Sequence, residues 1–333
     1  MKKFLLGGKG NFYKANLHTH STVSDGIFTP EQIKELYLEK GYSVVAFTDH
    51  NVFAAHNDLS DDKFLAITGC EMNINDDGNN YQFFKTYHLC FYAKNKDKTV
   101  SAVFNDCPIG NSSEYVTDEM RKKKFVGEYS VESINEIIRL MNDDGYLVTY
   151  NHPAWSCQRY SDYIGLKGLW GVEVFNTCGF NEGLKDTDIP YMDLLKENAG
   201  IVPVAADDTH QYLDLFGGFS VIESEKLGYD EIISAMENGN VYSSTSPLIY
   251  ELLVENNILT LKCDPVRRVY LNTERRWTKF LQGEKITKAQ FDLTEYFETN
   301  AKFKPKNTFI RITLEDEQGN KAWTRAYAEN ELR

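Results

Sequence analysis

Seven histidines occur in 333 residues, and six of them fall in or at the end of runs that read as β-strands. His18 and His20 lie in "KANLHTH", His50 ends "SVVAFTDH", His88 lies in "YHLCFYA", His152 ends "YLVTYNH", and His210 follows "GIVPVAADD". Acids travel with them: Asp25, Asp49, Glu71, Asp207 and Asp208. Mixed imidazole and carboxylate ligands suit zinc, manganese or iron, whereas an all-oxygen set would suit magnesium or calcium. Each motif alone has a plainer explanation. Residues i and i+2 of a strand share a face without needing a metal. Glu71 could be a helix cap or a surface acid, His152 a turn residue held by Pro153, and "DDTH" an exposed turn. Jointly, the strand-end placement points to a polynuclear metal site. Gathered carboxylates would repel one another and be costly to desolvate, and divalent cations remove both penalties. His56, in "FAAHND", lacks that placement and reads as a surface residue or an outer neighbour of the site.

The elements that must position these residues alternate along the chain. "FLAITGCE", "GVEVFN" and "GIVPVAADD" add strands to those already quoted. "TPEQIKELYLEKG" reads as a helix, with Thr29 as N-cap, Pro30 at the first position and Gln32 completing a capping box. Its Ile33, Leu36 and Tyr37 repeat at helical spacing, and Gly41 ends it. "SVESINEIIRLMNDDG", capped by Ser130, "IPYMDLLKENAG" and "GYDEIISAMENGN" read as further helices. About seven strand–helix units imply parallel strands joined by right-handed crossovers. That is enough to close a barrel whose C-terminal strand ends meet at one mouth. Residues 106–128, with "MRKKKF", are irregular and read as a loop or a lid. After "YSSTSP" the pattern becomes one of alternating strands, with "EDEQGNK" as a hairpin turn. The expected organisation is an α/β barrel over residues 1–247 and a small antiparallel β domain over residues 248–333.

Bulk composition narrows the function classes. The chain is 42% hydrophobic and 26% charged, with a net charge of −13. No basic surplus exists to neutralise the phosphates of a nucleic-acid duplex. Phosphorylated small molecules remain open, because bound cations reverse the local sign of an acidic protein. No apolar run approaches the roughly 20 residues of a membrane span, and no membrane partner is expected. The start, "MKKFLLGGKGNFYK", lacks the apolar stretch of about 7–15 residues that a signal peptide needs. Six scattered cysteines without a CxxC pair read as reduced thiols of a cytoplasmic protein.

Together "HTHSTVSDG", "AFTDHN", "GCE", "YHLCFY", "YNHP" and "ADDTH" resemble, in order over residues 14–246, the PHP (polymerase and histidinol phosphatase) superfamily of metal-dependent phosphoesterases. The resemblance implies a distorted (β/α)7 barrel holding two or three divalent ions of manganese, iron or zinc. It implies that His18, His20, Glu71 and Asp208 hold one ion. Glu71 would bridge to a second, held also by His88 and His152, and Asp25, His50 and His210 would form a third pocket. With Asp rather than His at position 25, the chain resembles members described with two metals. The third pocket is then either metal-filled or free to serve the leaving group, with Asp25, His50 and His210 as catalytic residues. Of the adjacent acids, Asp208 fits the Asp-x-His spacing and shares a strand face with His210. Asp49 and Asn151 are candidate partners of the neighbouring imidazoles, or simple strand-end caps.

The activity implied is hydrolysis of a phosphate ester, mono- or diester, on a small or nucleotide phosphate. The alternatives are a histidinol-phosphate phosphatase, hydrolysis of a non-phosphate bond, and a non-catalytic metal-binding or regulatory module. Arg159 and Arg121 are candidate cations for the substrate phosphate. Trp155, Phe53 and Tyr160 could stack a nucleobase or pack in the core. The C-terminal sheet is similar to an appendage of stand-alone members, and nothing in the sequence sets the oligomeric state.

Overall fold

The structure is a computed structural model that describes residues 2–8, 10–76 and 85–333. Its strands in chain order are β1 (Lys2–Leu6), β2 (Asn11–Asn16), β3 (Val44–Phe47), β4 (Leu65–Asn75), β5 (Thr86–Ala93), β6 (Tyr146–Tyr150), β7 (Gly171–Asn176) and β8 (Val202–Ala206). They continue with β9 (Phe219–Ser224), β10 (Val241–Ser244), β11 (Ile249–Glu255), β12 (Ile258–Thr273), β13 (Lys279–Asp292), β14 (Phe309–Glu315), β15 (Lys321–Thr324) and β16 (Tyr327–Ala328). All belong to one mixed sheet, whose main path runs β1-β11-β12-β14-β15-β10-β9-β2-β3-β4-β5-β6-β7-β8.

The expected closed (β/α)7 barrel is not what forms. β2, β3 and β4 pair parallel, as do β6, β7 and β8. β5 runs antiparallel to both β4 and β6. The link between β4 and β5 is too short for the crossover of about a dozen residues or more that parallel pairing requires. At the far end, β8 lies against β9 and β10 without a ladder among the described residues. Side chains bridge the seam instead: Ser243 Oγ accepts from Ala205 N–H and donates to Pro203 O, and Ser220 Oγ donates to Ala205 O. Pro203 has no N–H to offer a neighbouring strand. The sheet therefore curls towards itself but stays open.

Local signals behave as their chemistry dictates. Thr29 and Gln32 form the reciprocal capping box of helix Pro30–Glu39, which buries Ile33 and Tyr37. Gly41 takes a φ of +75° just past its end. Ser130 Oγ caps helix Val131–Asp143 by accepting from Ser133 N–H. Helix Tyr229–Glu237 plugs one end of the curled sheet with Tyr229, Ile232, Ile233 and Met236, against an interior of Ala15, Val44, Ile67 and Val204. The other end is left for the polar cluster. The strands after residue 248 pair antiparallel, as expected, and join β10 through β15. β1 joins them by pairing with β11. The "EDEQGNK" turn links β14 to β15 on Asp316, whose carboxylate accepts from Gln318 N–H and Asn320 N–H. Among the described residues no helix is long and apolar enough to cross a membrane.

Candidate metal centre

Strand ends deliver most of the cluster. β2 ends at Asn16, and His18 and His20 follow on a segment held by Thr19, which bridges to Thr209 beyond β8. His50 lies just past β3 and bridges to Glu71. Glu71 and His88 sit inside strands, because the β4–β5 pair is long enough to line the mouth along its length. Alternation then sends Glu71, Asn73 and Asn75 to the cleft and Cys70, Met72 and Ile74 to the core. Asp25 arrives on a loop folded around Asp49, whose carboxylate accepts from the backbone N–H and hydroxyl of both Ser21 and Ser24. Gly26 is required there, since a Cβ would lie 2.3 Å from His20 O. Three residues at the mouth hold positive φ: Asn51 (59°), His152 (24°) and Asp208 (53°). Such conformations are uncommon outside glycine and gather at functional sites.

All nine residues of the expected ligand sets converge. Glu71 faces five imidazoles: His88 Nδ1 at 2.9 Å, His152 Nε2 at 3.0 Å, His18 Nε2 at 3.2 Å, His20 Nε2 at 3.3 Å and His50 Nδ1 at 3.4 Å. Asp208 Oδ1 lies 3.1 Å from both His18 Nε2 and His20 Nε2. Asp25 lies 3.6 Å from His20 Nδ1, 3.7 Å from His50 Nε2 and 3.6 Å from His210 Nε2. These contacts resolve into groups able to hold a metal ion: His18, His20, Glu71 and Asp208; Glu71, His88 and His152; and His20, Asp25, His50 and His210. His20 thus belongs to the third pocket as well as the first. Two further groups adjoin them, His18 with His152 and Glu173, and Cys178 with His210 and Asp214.

The donor atoms fit cations. His18 Nδ1 donates to Glu173 Oε1 at 2.8 Å, which leaves Nε2 aimed at two carboxylates and 3.2 Å from His20 Nε2. His50 Nδ1 and Asp208 Oδ1 are buried without a hydrogen-bond partner. Ring nitrogens and carboxylate oxygens that converge in this way are reconciled only by positive charge between them. Protons reveal the same demand. Burial opposes charge on His20, yet the Asp208 and Glu71 carboxylates beside it carry its pKa up to about 10. Burial likewise opposes charge on His152, and Glu71 carries it up to about 9. Burial and then the neighbouring His20 press His50 down to about 3. Burial would raise Glu71, but His88 and His18 hold it well below the usual carboxylate range.

The adjacent aspartates separate cleanly. Asp208 enters the cluster, whereas Asp207 accepts from Tyr37 OH, Thr177 Oγ1 and the N–H groups of Phe216, Gly217 and Gly218. Asp49 braces the Ser21–Ser24 loop rather than the His50 ring. Asn151 Nδ2 stands 3.0 Å from His18 Nδ1, not beside its sequence neighbour His152. Glu173 escaped the sequence reading. It is buried in β7 and accepts from His18 Nδ1, from His152 N–H at 3.0 Å and from Asn176 Nδ2 at 3.1 Å. Its signal was a lone acid inside the apolar run "GVEVFN", a residue type that is almost never fully buried unless paired. His56 packs its ring on Phe47, 4.7 Å away, outside the cluster.

The cluster floors a cleft of about 600 Å³. Cys107, Pro108 and Ile109 form part of its wall, so the start of the irregular 106–128 stretch borders the site. Asn111 N–H ties that stretch to Ser24 O. Trp155 lines the cleft, with its ring 5.4 Å from His88 and 5.2 Å from His152, and its Nε1 donates to Glu182. Phe53 is buried in the core and Tyr160 is exposed; neither lines the cleft. Neither expected arginine reaches it. Arg121 pairs with Asp118 three residues away on its own short helix, and Arg159 is an exposed residue at the start of helix Tyr160–Tyr163.

No curated protein matches the chain in sequence. Its fold is similar to a two-domain protein of Bacteroides vulgatus containing a predicted PHP-like metal-dependent phosphoesterase, at 12% identity, over 98% of each chain and with a TM-score of 0.45. Two others, each with a TM-score of 0.36, are an amidohydrolase of Chromobacterium violaceum and a protein of Bifidobacterium adolescentis described as a metal-dependent phosphoesterase. The first is 14% identical over 59% of this chain and 87% of its own. The second is 13% identical over 61% and 88%. None of the three assigns a role to a residue here. Residues 16–152 match the family model of the PHP domain, a span that includes His18, Asp25, Glu71 and His152.

Proposed function

We propose that this protein hydrolyses a phosphate ester with divalent metal ions, manganese, iron or zinc, held at the mouth of the curled sheet. The observation that carries the reading is the single carboxylate of Glu71 facing five imidazoles from five separate segments. His18, His20, Glu71 and Asp208 would hold one ion, and Glu71, His88 and His152 a second. Asp25, His50 and His210, with His20, would hold a third or serve the leaving group. Bound divalent ions supply Lewis acidity, which offsets phosphoryl charge and brings the pKa of water towards about 7.

The chain's own residues do the rest. Glu173 fixes the proton of His18 on Nδ1, so that Nε2 points into the cluster. Trp155 and the wall of Cys107–Ile109 restrict water above the reacting phosphate. His210 donates from Nδ1 to Asp208 O at 2.9 Å, which directs Nε2 towards Asp25 and the cleft. Its side chain is 27% exposed, against 6% for His50. As an imidazolium, which carries a proton on both nitrogens, His210 is therefore placed to give its Nε2 proton to a departing alcohol when no third ion is held, with Asp25 orienting it. The substrate would be a small phosphate ester, with a nucleotide among the candidates.

The test is hydrolysis of p-nitrophenyl phosphate by purified protein supplied with Mn²⁺, Fe²⁺ or Zn²⁺. Turnover that is lost on chelation and restored by the metal supports the reading. Metal bound in full with no phosphate ester hydrolysed would instead favour a metal-binding or regulatory module.

A further inference from the structure

The outer cleft restricts what the reacting phosphate can be attached to, an inference that rests on the phosphoesterase reading. No Lys or Arg lines the cleft among the described residues. Lys85, the one cation in the link between β4 and β5, is taken up by Asp162 at 2.9 Å. Two acids line the cleft outside the three expected ligand sets, Glu182 and Asp214. Any anionic group on the alcohol side of an ester would meet these carboxylates with no fixed cation to receive it. Glu182 accepts from Trp155 Nε1, and the buried Asp214 accepts from the N–H groups of His210 and Gln211, so both are held in place without a counter-cation, and like charge of this kind is a standard means of excluding a competing ligand.

The neutral part of the cleft has its own pattern. One wall is amide and hydroxyl: Asn73 and Asn75 of β4, with Thr86 of β5. The cleft's apolar lining is Pro108, Ile109 and Trp155. Ile27, Tyr212 and Leu213 are 55%, 69% and 73% exposed. They do not line the cleft themselves but adjoin residues that do. Ile27 N–H donates to His210 O at 2.9 Å, and Tyr212 and Leu213 lie in sequence between the cleft residues Gln211 and Asp214. The Tyr212 ring is propped edge-on against Phe28 at 4.7 Å, so it is held in place although exposed.

We propose that the ester this cleft takes carries a single phosphate on an uncharged alcohol with an apolar, flat face. The alcohol would lie between the amide wall and the Tyr212–Leu213 rim. Esters with a second anionic group on the alcohol side, bisphosphates and oligonucleotides among them, would be excluded by Glu182 and Asp214.

The test uses the full chain loaded with Mn²⁺ and titrated calorimetrically with two probes of one shape, benzylphosphonate and 4-carboxybenzylphosphonate. The carboxylated probe should bind about tenfold more weakly or worse, the scale on which one pocket contact discriminates. Gln211→Lys, which places a cation beside the rim, should close most of that gap. The double variant Tyr212→Ser, Leu213→Ser should weaken benzylphosphonate roughly tenfold more than it weakens inorganic phosphate. Equal or tighter binding of the carboxylated probe overturns the inference while leaving the phosphoesterase reading intact. So does a rim variant that weakens benzylphosphonate and inorganic phosphate equally. If neither inorganic phosphate nor either phosphonate binds the Mn²⁺-loaded chain, the phosphoesterase reading falls and this inference with it.

Discussion

Asp207 and Asp208 are neighbours at the end of β8, both buried, and they belong to two different regions of the molecule. Asp207 turns to one side, where three backbone N–H groups and two hydroxyls donate to it. That side is complete as it stands. Asp208 turns to the other, where it meets the imidazoles of His18 and His20, and one of its oxygens has no hydrogen-bond partner. The first acid organises the fold, and the second waits on a cation. Burial and charge do not distinguish the two; the supply of donors does. The same contrast separates Asp49, whose oxygens are taken up by Ser21 and Ser24, from Glu71, whose carboxylate faces five imidazoles.

The contrast breaks most severely at Glu71. Glu71→Gln should lower metal-dependent phosphoesterase turnover by about a thousandfold, roughly 4 kcal/mol of transition-state stabilisation. Circular dichroism should show the fold retained; turnover within a factor of a few of the parent would remove Glu71 from the centre. Asp207→Ala should do the reverse. Five stranded donors should cost about 3 kcal/mol of stability in denaturant unfolding, while metal titration of the folded fraction keeps its stoichiometry. Should that variant lose metal at unchanged stability, the two sides have been assigned backwards.

Glu173→Ala removes the acceptor that orients His18, and metal affinity by calorimetry should fall about 10–100-fold. Glu173→Gln, which can still accept from Nδ1, should recover most of it. A purely structural Glu173 would show no such rescue in affinity. The smallest effect concerns Asp186, which accepts from Ala154 N–H through Oδ1 and has Oδ2 buried without a partner. Desolvation pushes its pKa up to about 7. The folded chain then holds a proton that the unfolded chain releases, so stability is full at low pH and declines as pH rises from about 4 through 7. Asp186→Asn should be neutral near pH 4 and stabilising by about 1–2 kcal/mol near pH 8. Parallel pH profiles of the two proteins would deny the shift.

Much of the centre was legible because its signals are local. His18 and His20 flank one residue, Asp208 and His210 another, and each pair sits just past a hydrophobic run. The caps at Thr29 and Ser130 were legible for the same reason: the partner lies three residues away. What escaped depends on pairing at a distance. The antiparallel course of β5 and the open seam at β8 follow from strand partners and from Pro203, which single-segment periodicity does not encode. β1 pairs with β11, about 250 residues further along the chain. Glu173 is read as a site residue only once β7 is known to pass behind His18. Arg121 and Arg159 looked available because a sequence does not show that one already has Asp118 and the other lies outside the cleft.

Side chains from separate strand ends form one cup around Glu71, shaped to hold cations. Anomalous diffraction from crystals of the protein grown with Mn²⁺ tests it most directly. At least two manganese peaks are expected, one among His18, His20, Glu71 and Asp208 and one among Glu71, His88 and His152. Manganese bound only elsewhere, or no peak within coordinating distance of Glu71, would contradict it.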